Sequence, residues 1–142
     1  MPTAPRTFLL FIVLCIVAAS LGACGPKVSD ATVTPVAPAV VQRWVERDSG
    51  KQLLIDVRPE ESYRAGHIPG AVSMSTADVN ERERDPRLLR YSTLVVYGED
   101  AGSARARAMV KRLMVAKYKD VRQLQGGYAQ WTSLGLPVER GN

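Results

Sequence analysis

Apolar positions along the chain fall into short runs separated by polar and turn-forming residues, and each run has a readable period. Phe8 to Leu21 is continuous, uncharged and built almost wholly of Leu, Ile, Val, Phe and Ala. Val40, Val41, Trp44 and Val45 are spaced as on one helix face, and Asp48-Ser49-Gly50 ends that segment. Leu53-Leu54-Ile55 is a short unbroken run, as expected of a strand buried on both faces. Pro59 to Arg64 reads as a short helix opened by proline, and His67-Ile68-Pro69-Gly70 as a turn before a strand at Ala71–Met74. Ser75 to Tyr91 is polar and charged, which predicts a short helix and loop on the outside. Leu94-Val95-Val96-Tyr97 is the clearest strand. Ser103 to Lys117 is the clearest helix, with Ala106, Met109, Val110, Leu113 and Met114 on one face. A strand at Val121–Leu124 and a short helix carrying Trp131 complete the series. Strands alternating with helices predict an α/β domain with a largely parallel sheet.

The first run differs from the rest. Arg6 precedes it and Ser20-Leu21-Gly22-Ala23-Cys24 closes it, the layout of a signal peptide with small residues at the cleavage site. It is shorter than the roughly 20 apolar residues that a spanning helix needs. Leu21-Gly22-Ala23-Cys24 resembles the lipobox of bacterial lipoproteins, in which the cysteine carries the lipid and becomes the first mature residue. An ordinary secretory signal or an uncleaved anchor are the alternatives. The expected organisation is a signal peptide over 1–23, a tether over 24–37 and a single domain over 38–140. By resemblance to lipoprotein sorting, Gly25 after the cysteine favours the outer membrane over inner-membrane retention.

Composition narrows the chemistry. Nineteen Lys and Arg stand against 14 Asp and Glu, without a block of like charge or aromatic–basic interleaving, so a nucleic-acid partner is not expected. Cys15 and Cys24 are the only cysteines and His67 the only histidine. Cys15 would leave with the signal. No disulfide framework or thiolate metal site is then expected in the mature domain, and a zinc site lacks ligands.

Three segments together resemble the rhodanese family. Ile55-Asp56-Val57-Arg58, Tyr63 and Gly66-His67-Ile68-Pro69-Gly70-Ala71 are similar to its first signature. Leu94-Val95-Val96-Tyr97 with the loop and helix after it stands where that family has its active site. Gln125-Gly126-Gly127-Tyr128-Ala129-Gln130-Trp131 with Gly135-Leu136-Pro137-Val138 resembles the closing signature. The likeness runs from about Val36 to Val138. It implies the rhodanese-like fold, a small five-stranded parallel sheet flanked by helices on both faces. In the residues' own terms these motifs are scaffold: Asp56 and Arg58 tie loops together, His67 fixes a turn, and Trp131 is core.

The resemblance also implies a catalytic cysteine directly after the active-site strand, its thiolate held by convergent loop amides and a helix N-terminus. Here that position is Gly98, followed by Glu99, Asp100, Ala101, Gly102, Ser103, Ala104 and Arg105. The two carboxylates oppose anions, and Ser103 reads as the N-cap of the next helix. Arg105 matches the family's basic residue only at a shifted offset. A lipidated Cys24 would carry a thioether, which is no nucleophile. The leading expectation is therefore a membrane-anchored, non-catalytic rhodanese-like binding module with no cofactor. Its vestigial loop, Gly98 to Ser103 with Arg105, would meet a protein partner. A weak thiosulfate-type sulfurtransferase and a small-anion sensor on the same loop are the alternatives.

Overall fold

The computed structural model describes residues 32–141; the signal and lipidation readings, Cys24 included, lie outside them. Strands β1 (Thr34–Val36), β2 (Gln52–Asp56), β3 (Ala71–Ser73), β4 (Thr93–Tyr97) and β5 (Val121–Leu124) form one sheet in the order β1-β5-β4-β2-β3. Every neighbouring pair is parallel. The helices are α1 (Pro38–Arg47), α2 (Glu60–Ala65), α3 (Pro86–Leu89), α4 (Ala104–Val115) and α5 (Gly127–Ser133), with a 3₁₀ turn at Thr76–Asp78. This is the expected rhodanese-like architecture.

The central strands explain the layering. All five residues of β4 are buried, so their side chains alternate between two apolar cores. On one side Leu94 and Val96 join Leu53, Ile55 and the inner face of α4: Ala106, Met109, Val110 and Leu113. On the other, Val95 and Tyr97 join Leu54, Leu124, Val41, Tyr63 and Trp131. Trp131 is fully buried, as its sequence context predicts, and its indole Nε1 donates to Pro137 O at 2.7 Å. That bond fastens the C-terminal segment across the second core.

Two expectations need correction. The tether does not extend through residue 37, because Thr34–Val36 pairs in register with Arg122–Leu124 as an edge strand. Val36 is buried in the second core, and its carbonyl accepts from Gln125 N at 2.9 Å. An edge strand leaves one side of its backbone unpaired, so Pro35 costs no ladder bond there. The segment Ser75–Tyr91 is not wholly external either. Val79 and Leu88 are buried against α4, closing the first core beside β2.

Parallel pairing gathers the residues that follow each strand at one end of the sheet, where ligands of open α/β sheets are usually met. Asp56–Arg58, Gly98–Ser103 and Gln125–Gly127 all lie there.

If β1 is a structural strand and not a tether, Val36→Ala should lower unfolding stability by about 2 kcal/mol, the usual scale for truncating a buried aliphatic side chain. Urea denaturation of the full chain measures it. A change within experimental error would mean that residues 34–36 contribute little to the fold.

Candidate functional site

The floor of the loop cluster is an ion pair. Asp56 ends β2 with its side chain fully buried, and Arg58 Nη2 lies 2.7 Å from Asp56 Oδ2. Arg58 Nε donates to both carboxylate oxygens at 3.1 Å, and the Arg58 backbone N donates to Oδ1 at 2.9 Å. Nη2 also donates to Gly66 O at 2.6 Å, binding β2 to the turn after α2. Burial opposes the charge on Arg58, but the hydrogen bonds and charge of Asp56 more than offset it and leave the pKa raised. The guanidinium lies 3.6 Å from the centre of the Tyr128 ring, a stacked cation–π contact.

Beneath it, the Tyr97 hydroxyl accepts from Ile68 N at 3.2 Å. Burial, and then the charge of Asp56, push this phenol far above its ordinary value, so it stays protonated at any physiological pH. His67 is buried with its ring stacked on Tyr63 at 3.9 Å, and its Nδ1 is 3.0 Å from Tyr63 O. Its backbone exchanges hydrogen bonds of 2.9 Å with Glu139. His67 therefore fixes a turn, as expected.

The loop after β4 is clamped on three sides. Gly98 is buried, and its carbonyl accepts from Tyr128 N at 2.9 Å, while Glu99 O accepts from Ala129 N at 2.8 Å. Glu99 is exposed, with its carboxylate 3.6 Å from Arg58 Nη1. The Asp100 carboxylate is taken by the loop itself, accepting from Gly102 N at 2.8 Å. Ser103 Oγ accepts from Ala106 N at 3.2 Å, so Ser103 caps α4 as expected.

Two glycines permit this packing. A Cβ on Gly98 would collide with both Cβ and Oγ of Ser103, whose side chain occupies the space beside the end of β4. Gly127 has a φ of +60°, and a Cβ there would stand 2.7 Å from Gly98 O and 2.8 Å from Asp100 N. Only glycine allows α5 to start this close to the loop.

Of the residues singled out from sequence, Gly98, Glu99, Asp100 and Ser103 form one connected loop. Ala101 and Gly102 are exposed at its tip. Arg105 is exposed on the first turn of α4 and lines a neighbouring cleft of about 560 Å³ with Arg58, Ser73 and Thr76. Sequence reasoning missed the Arg58–Glu99 contact and the stacking of Tyr128. The presence of Tyr128 directly after Gly126-Gly127 is the signal that could have placed an aromatic ring at the loop. Among the described residues no group of His, Cys, Asp and Glu is arranged to hold a metal.

Known proteins agree with this architecture. Residues 39–134 match the family model of the rhodanese-like domain. The chain is similar to the HTH-type transcriptional regulator Rv0324 of Mycobacterium tuberculosis, 36% identical over 95 residues that cover 67% of this chain and 41% of that protein. It is 35% identical over 96 residues to thiosulfate sulfurtransferase YnjE of Escherichia coli, covering 56% of this chain and 21% of the enzyme. The chain thus spans less than half the length of these two curated relatives. The solution structure of the rhodanese-like domain of Alr3790 from Anabaena sp. superposes with a TM-score of 0.60 at 30% identity, covering 75% of this chain and 78% of that one. With the sheet order and the family match in agreement, the chain belongs to the rhodanese-like domain family.

Proposed function

We propose that this chain is a non-catalytic rhodanese-like module of a bacterial cell envelope, held to its membrane through a lipid on Cys24, and that its loop after β4 binds a protein partner. The observation that carries the reading is the space beside Gly98. Where the family places a thiolate, this chain has a glycine, and Ser103 fills the volume a side chain would need. Sulfur transfer through a persulfide requires a thiolate nucleophile, and no cysteine occurs among the described residues. Ser103 does not replace it, since its hydroxyl is engaged as a helix cap.

A protein partner fits the loop better than a small anion. Glu99, Asp100 and Ala101 are exposed side by side, and the two carboxylates repel anions from the amides behind them. Arg58, the strongest cation nearby, is already shared between Asp56 and Glu99. The loop is also braced by Tyr128 N and Ala129 N, so a partner would meet it with little ordering cost. Weak sulfur transfer is the competing reading, favoured by the thiosulfate sulfurtransferase YnjE among the relatives.

The two readings part on sulfur. Incubating the purified full chain with thiosulfate should leave its intact mass unchanged; gain of one sulfur atom would establish the enzymatic reading instead. The crowding at Gly98 has its own measure. Gly98→Ala should cost about 1–3 kcal/mol from overpacking, and adding Ser103→Gly should restore most of it, because a glycine N-cap loses only about a few tenths of a kcal/mol. Additive effects in that double-mutant cycle would mean that Ser103 does not occupy the position. For the anchor, the chain expressed in a bacterial host should incorporate labelled palmitate and fractionate with membranes, and Cys24→Ser should abolish both. A Cys24→Ser chain that still takes up label would exclude lipidation at this residue.

A further inference from the structure

The two ends of the sheet carry opposite charge. At the end where the strands finish, Glu60, Glu61, Asp78, Glu99 and Asp100 are all exposed. The cations there are Arg64, spent on Glu60, the buried Arg58, and Arg105. At the other end, Lys51 precedes β2, and Lys117 and Lys119 precede β5. Arg84 joins them, its Nη1 3.5 Å from Lys117 O, and Arg90 precedes β4. All five are exposed. Two acids of this end are neutralised: Asp85 is paired with Arg87, and Asp120 with Arg122. Glu46, Asp48, Glu83 and Glu139 also lie there exposed; Glu46 and Asp48 flank Arg47, Glu83 stands between Arg82 and Arg84, and the Glu139 carboxylate is 3.6 Å from His67 Nε2.

This basic end also has a recess of mixed polarity. Arg84, Leu89, Tyr91, Tyr118, Lys119 and Asp120 line a cleft of about 450 Å³ there. Leu89 is 48% exposed at its rim, and the Tyr118 hydroxyl accepts from Asp85 N at 2.8 Å. An aromatic-walled recess that carries Arg84 and Lys119, and whose one carboxylate, Asp120, is paired with Arg122, suits the boundary between phospholipid headgroups and acyl chains.

The chain enters the domain at the same end. β1 is parallel to its neighbours, so Thr34 lies beside Arg122 at the start of the sheet and away from the loop after β4. Nine residues, 25–33, separate Cys24 from Thr34, a reach of at most about 36 Å. We propose that the face formed by Lys51, Arg84, Arg90, Lys117 and Lys119 docks on the anionic phospholipid surface in which Cys24 is anchored. The acidic loop end then points away from the membrane. Orientation follows from charge: a short tether keeps the basic face within a few Debye lengths of the headgroups, about 8 Å each at physiological salt, while the acidic end is repelled. This inference rests on the lipid-anchor reading for its geometry, but the face can be tested without the anchor.

The test uses the lipidated full chain in vesicles of phosphatidylcholine alone or with about one third phosphatidylglycerol, read by amide hydrogen exchange. Segments 84–92 and 117–120 should exchange more slowly in the anionic vesicles only, and raised salt should remove the difference. The combined substitution Lys51→Gln, Arg84→Gln, Lys117→Gln and Lys119→Gln should remove it as well. Equal exchange in both vesicle types would overturn docking while leaving the anchor intact. In parallel, the full chain with Cys24→Ser should sediment more with phosphatidylglycerol vesicles than with phosphatidylcholine, since the apolar run at Phe8–Leu21 contributes to both alike. Each neutralised charge should weaken that partition by up to about fivefold. If Cys24 proves unlipidated, this arm alone decides: greater sedimentation with the anionic vesicles sustains the face, and equal sedimentation with both overturns it.

Discussion

A carboxylate with no solvent exposure sits at the end of β2, and the geometry around it follows from the need to keep it paired. Asp56 accepts from both the backbone and the side chain of Arg58, so the chain must turn sharply as it leaves the sheet. Arg58 in turn has donors left over, and these reach Gly66 O and the Glu99 carboxylate. One charge pair therefore positions the ends of two strands, the turn after α2 and the loop after β4. Removing one partner of such a buried pair typically costs about 3–5 kcal/mol, because the other charge is stranded. The stacked Tyr128 ring shields the guanidinium from water and joins the start of α5 to the same centre.

With its floor fixed in this way, the loop's conformation is decided by space. Gly98 leaves β4 with its carbonyl committed to Tyr128 N, and Gly127 lets α5 approach to van der Waals contact. The Ser103 side chain then turns into the remaining volume while capping α4. The result is a filled and braced loop, its Gly98 and Glu99 carbonyls accepting from α5 and its Asp100 carboxylate from Gly102 N. Such a surface is suited to presenting Glu99, Asp100 and Ala101 in a defined arrangement. The proposed non-catalytic role accords with this filling, since a reacting atom needs open volume beside convergent donors.

Much of this was legible in the sequence because the signals were local. β4 reads as a strand from four consecutive apolar residues, α4 from its 3.6-residue stripe, and the Ser103 cap from its place before that stripe. Asp56 and Arg58, at the end of an apolar run, read as residues that tie adjoining loops together. What escaped was non-local. β1 is three residues long and includes proline, and only its partner β5, far along the chain, makes it a strand. Val79 and Leu88 lie in a stretch whose polarity predicts solvent exposure, yet α4 and β2 cover them. The contacts of Arg58 with Glu99 and Tyr128, and of Gly98 with Ser103, depend on which loops the parallel sheet gathers at one end. No window of sequence contains that information.

The same parallel arrangement links the two ends of the molecule. Because every strand runs the same way, the residues before the strands and those after them are sorted onto opposite faces, and any bias in their charge becomes a polarity of the whole domain. Here the residues that precede strands are rich in lysine and arginine, and those that follow are rich in aspartate and glutamate. A reversed β1 would bring the chain in beside the acidic loop, setting any tether against the surface proposed for a partner. Parallel pairing with β5 brings the chain in at the basic end, leaving the loop after β4 unobstructed. Three residues at the sheet edge, read from sequence as part of a linker, therefore determine which face of the domain a tether leaves free.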